Sequence, residues 1–587
     1  MEAADPDLPD AAVEHISQML TLAKSKHQEA MGLLGKPDPN ALPRLREVLR
    51  LLGEVELLAD DATSYVEADV MKAAIRDLHF QQAAVQAAIA LVSSPAFARD
   101  TATAAKYFSS HMVLQRDQPI VVWGDAVPGS VVPIVFDGES REARTNSKGQ
   151  WRTVFSPRKA SFEPVVLQVG DKTFEDILIG DVFLASGQSN MHWPVQKSDV
   201  KKYPHTKYND RIRLLKMHYL RARAPEGYTD KELARSNSDD FFQGSWERAD
   251  LKEISDFSAV AWTAGSLIAN DQDVPIGLVQ VAVGGSALNN WIPQRVLRTH
   301  PFTRHIFKGD FFTNPYFLKP HKERGKQALQ RAMSPNEPFI IGKSKYRWMC
   351  EPSFLFDAGI APLKHAGLKA VLWYQGESDA TRVEHTVHYR ELFPRMVESW
   401  RENFRDPNLP FFVIQLPGYD SPYWPALREA QSMAVDQMSN ASLIVTYDLG
   451  EKKNIHPSDK REVGERLAAA VLANVYGVGG LPVYPGIFEI SGEGSELEIR
   501  LSNFKSGKPG KSIEGFEIGN EYGRYAPAEA KFTSSDTLLV SSKIDGPKFV
   551  RFGAIPFPSS QLAIVNDEGL PLPPSHFQKR DGRWMAQ

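Results

Sequence analysis

Apolar positions in the first hundred residues recur at three- and four-residue steps. In LPRLREVLRLLGEVELLADDATSYVEA, Leu45, Val48, Leu49, Leu52, Val55 and Leu58 fall on one helical face. Gly35 and the prolines of GLLGKPDPNALP interrupt that pattern, so the segment predicts several amphipathic helices in a small hairpin or bundle. Its apolar face is of the kind that packs on a neighbouring domain or a second subunit. From about Tyr107 the period changes to two: PIVVWG, VVPIVFDG, QWRTVFS and VVLQVG are short runs separated by turn residues, as in an antiparallel β-sandwich. The same texture returns after Pro482 in FEISGEG, LEIRLSN, GFEIGNE, TLLVSS and FVRFGA.

Between these β-rich stretches the pattern alternates. ILIGDVFLA, GLVQVAV, LKAVLWY, PFFVIQL and SLIVTYD are mostly continuous apolar runs, the signature of parallel strands covered on both faces. Helical patterns separate them, so a five-stranded, doubly wound α/β sheet is expected, with ligands at the carboxyl ends of the strands. Four domains follow: a helical extension over residues 1–104, a β-sandwich over 105–177, an α/β domain over 178–476, and a β-rich domain over 477–587.

Composition narrows the function classes. A net charge of −4 gives no electrostatic footprint for nucleic acid, and no run approaches the roughly 18 apolar residues of a membrane span. The single cysteine, Cys350, excludes an intrachain disulfide or a thiolate metal cluster. The opening MEAADPDLPD has neither the basic nor the apolar region of a secretory signal, which leaves localisation open between the cytoplasm and export with a trimmed leader.

Small polar clusters stand at the strand ends: Gly187-Gln188-Ser189-Asn190-Met191, Gly284-Gly285-Ser286, Gln375-Gly376-Glu377-Ser378-Asp379, and Asp448-Leu449-Gly450 followed by Asn454-Ile455-His456-Pro457. An isolated serine after a strand is ordinarily a helix N-cap, and an isolated loop histidine a capped loop residue. Together at corresponding strand ends they predict a nucleophile, Ser189, and its base, His456. Ser189 N–H, the Gly285 backbone and the Gln375 amide are the expected oxyanion donors. The chain has no G-x-S-x-G elbow, no H-E-x-x-H and no phosphate loop.

HMVLQRDQPIVVWG, ILIGDVFLASGQSNM, PIGLVQVAVGGS, PSFLFDAGIAPL, LKAVLWYQGESDA, LREAQ and NIHPSDKREVGERLA resemble the sialate O-acetylesterase family, within the SGNH (GDSL-like) hydrolases. The resemblance runs from about residue 105 to about 580 and implies an α/β fold: an SGNH-type, flavodoxin-like parallel sheet with flanking β-sandwich segments, to which the N-terminal helices, outside the resemblance, are an extra segment. It implies a serine esterase that removes acetyl groups from sugars, either sialic acids or plant polysaccharides, without a cofactor or metal. Many relatives are secreted or periplasmic. Ser189 and His456 match the family's nucleophile and histidine, and Gln375 stands where an oxyanion donor comes. The third triad member is open, because Lys453 and Asn454 occupy the positions where many relatives carry an aspartate. Glu377 and Asp448 are the candidate acids; a Ser–His dyad with a backbone carbonyl holding the ring is the third option. Asn190, His192, Trp193, Asn290, Trp291 and Arg428 are candidate substrate contacts, with Trp424 a further candidate for stacking on a sugar ring. The expected partner is an acetylated carbohydrate, with no nucleic acid and no membrane; a homo-oligomer through the N-terminal helices stays open. Two other readings compete: an esterase or acyltransferase for non-sugar esters, and a non-catalytic carbohydrate-binding protein.

Overall fold

A computed structural model describes residues 102–202, 209–222, 226–333, 337–479, 484–558 and 564–586, with scattered helical positions before residue 102. Most of the helical extension expected over 1–104 lies outside the described residues. Within it, Val48 and Leu52, one helical turn apart, are both buried.

The chain divides into two compact units. The first comprises Met1–Ser110, Asp117–Arg158 and Glu163–Ile177; the second comprises His111–Arg116, Lys159–Phe162 and Leu178–Gln587. In the first, Thr103–Ala104, Ile120–Asp125 and Gln150–Phe155 form a three-stranded antiparallel sheet. Val131–Phe136 pairs antiparallel with Glu139–Arg144 on one side. Strict alternation along Gln150–Phe155 and Val131–Phe136 sends Trp151, Phe155, Val132, Ile134 and Phe136 inward.

The second unit is built on a parallel sheet. Its strands are β1 (Lys172–Gly187, which begins in the first unit), β2 (Ile212–Lys216), β3 (Trp246–Arg248), β4 (Ile276–Ala282), β5 (Ala370–Tyr374), β6 (Phe411–Ile414) and β7 (Ala441–Ile444). They lie in the order β3-β2-β4-β1-β5-β6-β7, all parallel except β3 at one edge. The five expected strands are all present. β2 and β3 are additions, hidden in sequence because IRLLK and WER are short, interrupted by charged residues, and lack the long apolar run of their neighbours. Every residue of β4, β5 and β6 is buried, which requires cover on both faces.

Helices supply that cover: α1 (Ser189–His192), α2 (Ala259–Gln272), α3 (Val383–Phe404), α4 (Trp424–Asp436) and α5 (Arg461–Val471). α2 and α5 approach closely because Gly464 has no side chain; a Cβ there would lie 2.5 Å from Cβ of Thr263. After α5, two five-stranded antiparallel sheets enclose a core of Leu497, Ile499, Ile518, Leu538, Val540 and Val550. Val445 and Tyr447, just beyond β7, belong to that same core, so the β-rich region and the parallel sheet share buried side chains. Among the described residues no helix is long and apolar enough to cross a membrane.

Gly464→Val should destabilise the protein by about 1–3 kcal/mol, the usual cost of overpacking. The measurement is the urea midpoint at unchanged m. A wild-type midpoint would mean that α2 and α5 can part without loss.

Candidate active site

The register of the parallel sheet sets the site. Gly187 at the end of β1 pairs with Ala282 on one side and with Tyr374 on the other; Tyr374 pairs with Ile414, and Ile414 with Ile444. Five strands therefore end level, and the polar clusters that follow them leave the sheet at one height. Gly187 has φ 133°, and a Cβ there would meet the Tyr374 carbonyl at 2.1 Å, so only glycine lets these two strands run side by side into their loops.

Gln188 fastens the first loop to the third. Its N–H donates to the Tyr374 carbonyl, and its Oε1 accepts from Gln375 Nε2 (3.1 Å), Gly376 N (3.2 Å) and Ser378 N (3.3 Å). Ser189 then opens the single turn of α1, so its N–H has no acceptor within the helix. A Cβ on Gly284 would lie 3.6 Å from Ser189 Cβ and 3.6 Å from the Tyr219 hydroxyl, which puts the second loop directly beside the serine. Gly285 follows in the left-handed region at φ 77°.

His456 is brought to the same turn from the far end of the sequence. Asn190 Nδ2 donates to the Ile455 carbonyl at 3.0 Å, and the Trp193 ring stacks on the His456 ring with centroids 4.7 Å apart and planes at 16°. Residues one and four positions after Ser189 thus both touch the His456 segment. Partial burial, and then the nearby Lys460 ammonium, lower the His456 pKa and favour the neutral imidazole that a base requires. Among the described residues no hydrogen bond joins the Ser189 hydroxyl to the imidazole.

Neither candidate acid bonds to that ring. Asp448 is committed elsewhere: its two oxygens accept from Arg466 Nη1 (2.8 Å) and Nη2 (2.7 Å), a largely buried bidentate pair. This corrects the expectation of Asp448 as triad acid. Glu377 is nearly buried, accepts from Asn190 Nδ2 at 2.5 Å, and leaves Oε2 without a hydrogen-bond partner. Burial raises its pKa from 4.5 to about 7. At position 454 the amide shapes the loop: Asn454 Oδ1 accepts from His456 N–H, and its Nδ2 donates to Glu451.

Several other expectations are corrected by burial. Gln375 is fully buried, and its Nε2 faces Gln188, the Ser286 carbonyl and Asp379 (2.6 Å), so the expected oxyanion donor is turned inward. Trp291 is fully buried among Trp373 and Trp400 and donates to Ser286 Oγ, leaving no face for a sugar; Trp424 is buried likewise. Asn290 is a loop brace, donating to the carbonyls of Cys350 and Glu351. Arg428 is wholly buried and donates to the carbonyls of Gly553, Ile555 and Pro556 in the β-rich region, so it cannot reach a substrate.

His192 and Trp193 remain partly accessible beside Ser189. His192 accepts from Arg221, and burial together with the Lys216 and Arg221 cations pushes its pKa down to about 3, so it is a neutral acceptor. Sequence reasoning missed Tyr219 and Arg221, which stack on each other beside His192, and Arg324, whose Nη1 lies 3.9 Å from where a Cβ on Gly285 would stand. MHYLRAR and HKERGK carry no motif, and only the fold brings them to the edge. Gln188 and Lys460 were legible as members of GQSNM and HPSDK, but their bonding was not.

The family described as "Carbohydrate esterase, sialic acid-specific acetylesterase" matches residues 179–310 and 338–473, which include Ser189, Gly285, Gln375 and His456 but not Arg324. Sialate O-acetylesterase of Mus musculus is 26% identical over 533 residues, 80% of this chain and 93% of that protein. The human protein of the same name is 26% identical over 413 residues, covering 64% and 71%. The crystal structure of a carbohydrate acetylesterase from Xanthomonas citri superposes with a TM-score of 0.64 at 27% identity, covering 81% of this chain and 99% of that one.

Two measurements check this description. Arg428→Met should leave buried carbonyls unpaired, at roughly 1–3 kcal/mol each, and lower the thermal midpoint while leaving KM for a simple acetate ester unchanged. A raised KM at wild-type stability would return Arg428 to substrate binding. The Glu377 pKa is raised on folding, so its contribution to stability is complete below 4.5 and is lost as pH rises through about 7. Glu377→Gln removes that dependence. The midpoint of the variant relative to wild type should therefore rise between about pH 4.5 and pH 8; a constant difference would mean that the carboxyl is not strained by burial.

Proposed function

Because the chain belongs to the sialate O-acetylesterase family of carbohydrate esterases, we propose that it hydrolyses O-acetyl esters of sialic acids with Ser189 as nucleophile and His456 as base. The level-ended sheet is read here as the flavodoxin-like scaffold of SGNH hydrolases. The observation that carries the reading is the double attachment of the His456 segment to the serine turn, through Asn190 and Trp193.

In the first step His456 takes the Ser189 proton as the oxygen attacks the acetyl carbon. The oxyanion forms beside the Ser189 N–H and the backbone of Gly285, which follows Gly284 in the left-handed region in the loop next to the serine. Collapse of the intermediate breaks the ester bond, and the sugar oxygen leaves with the proton from His456. Water then gives its proton to His456, attacks the acetyl-enzyme, and releases acetate with regeneration of Ser189. Every proton in the cycle is carried by one imidazole, and its lowered pKa keeps it ready to accept at neutral pH.

The sialate preference rests on charge. Arg221, beside His192, and Arg324, on the helix Lys319–Ala328 beside Gly285, are both exposed, and a guanidinium is the side chain best matched to a sugar carboxylate. A neutral xylan or xyloglucan has no group for them.

Acetate release from O-acetylated sialic acids, acetylated xylan, xyloglucan oligosaccharides and simple acetate esters tests both parts. Turnover should be fastest on sialate and fall by more than about a thousandfold in Ser189→Ala with an unchanged fold. Wild-type rates in that variant would remove Ser189 from the mechanism, and equal rates on neutral polysaccharides would remove the sialate preference.

A further inference from the structure

We infer that Asn190, Glu377 and Lys460 form a clamp that positions His456 by holding the peptide carbonyls on either side of it, in place of an acid bonded to its ring. The inference rests on the Ser189–His456 reading and makes all three positioning residues.

The carbonyl before the histidine, that of Ile455, accepts from Asn190 Nδ2 at 3.0 Å. The carbonyl after it, that of Pro457, accepts from Lys460 Nζ at 2.6 Å. Both donors lead to Glu377: Asn190 Nδ2 also bonds to its Oε1 at 2.5 Å, and Glu377 is the strongest attraction acting on the Lys460 ammonium, ahead of Asp459, Glu451 and Asp199. All three side chains are buried, Asn190 and Lys460 completely. Burying a lysine and a glutamate costs several kcal/mol unless their charges are used. Here the ammonium is spent on one carbonyl, and the carboxylate orients the amide that holds the other. Asp199 seals the outer side of the loop, accepting from Lys460 N and donating its own N–H to the Ser458 carbonyl. The plane that enters His456 is fixed through the Ile455 carbonyl and the next plane but one through the Pro457 carbonyl, with the φ-locked proline between, so the Cα–Cβ direction of His456 has little freedom, and Trp193 then sets the ring plane.

The clamp also accounts for the chemistry at positions 453 and 454. With Lys453 and Asn454 where relatives carry an aspartate, and with Glu451 bonded to Ser458, the fixed backbone does the work of orienting His456. Lys460 adds a second effect. After burial it is the charged group among the described residues that acts on His456, and it favours the neutral ring.

The test is steady-state hydrolysis of 4-nitrophenyl acetate by the full chain across pH, comparing wild type with Glu377→Gln, Lys460→Met, Ser189→Ala and His456→Ala, each checked for folding by circular dichroism. Glu377→Gln keeps shape and loses charge; kcat should fall on the order of 100-fold with KM unchanged, as for a misplaced catalytic group. Lys460→Met should lower kcat and move the acid limb of kcat/KM to higher pH, because the ring loses the cation that keeps it neutral. Wild-type kcat in either variant, an effect confined to KM, or an unmoved limb in Lys460→Met would overturn the clamp. If Lys460→Met does not fold, Glu377→Gln decides alone through its kcat and KM. Failure of the Ser–His reading shows separately, as wild-type rates in Ser189→Ala or His456→Ala.

Discussion

The bond from Asn190 to the Ile455 carbonyl joins residues 265 positions apart, and the arrangement of the site depends on it. Closing so long a loop costs chain entropy that one hydrogen bond does not repay by itself. The sheet meets that cost beforehand. β1 lies central in the parallel sheet and β7 at its edge, with level ends, so the last loop needs only to fold back along the sheet's rim to meet the first. Asn190 then fixes the last few ångströms.

Several polar groups behind the rim pair among themselves. Gln188 accepts three bonds from the third loop, Gln375 reaches Asp379, and Asp379 accepts the Leu288 N–H of the second loop. Burial raises the Asp379 pKa to about 6, yet the carboxylate is held by an amide and a backbone N–H. In a low-dielectric setting such a network is rigid when complete and costly when one member is missing. The loops that present Ser189, Gly285 and His456 to solvent are therefore mounted on a stiff polar layer.

How much of this was legible in the sequence divides along a physical line. Periodicity exposed the five long strands, because both faces of each are covered, and the chemistry at their ends followed from topology. Ser189 and His456 stood out as residue types that need each other. Exposure, by contrast, has no local signature. Trp291 and Arg428 have the composition of sugar-binding residues, yet one fills a tryptophan cluster and the other a cage of carbonyls. Asp448 looked free because its partner, Arg466, lies on the following helix at a distance no motif encodes. Tyr219, Arg221 and Arg324 come from long connections between strands, whose paths are set by packing and not by pattern.

Arg428 has a consequence for how the molecule can be divided. Its guanidinium belongs to the helix after β6, but its acceptors among the described residues are carbonyls of the β-rich region, and burial lowers its pKa only to about 10, so the charge persists. Excising the β-rich region would strand a cation in an apolar wall and bare Val445 and Tyr447 to water. The β-rich region is therefore a structural half of the hydrolase and not a detachable module. Recombination between relatives should respect that joint, exchanging the helix and its carbonyl cage as one inherited piece.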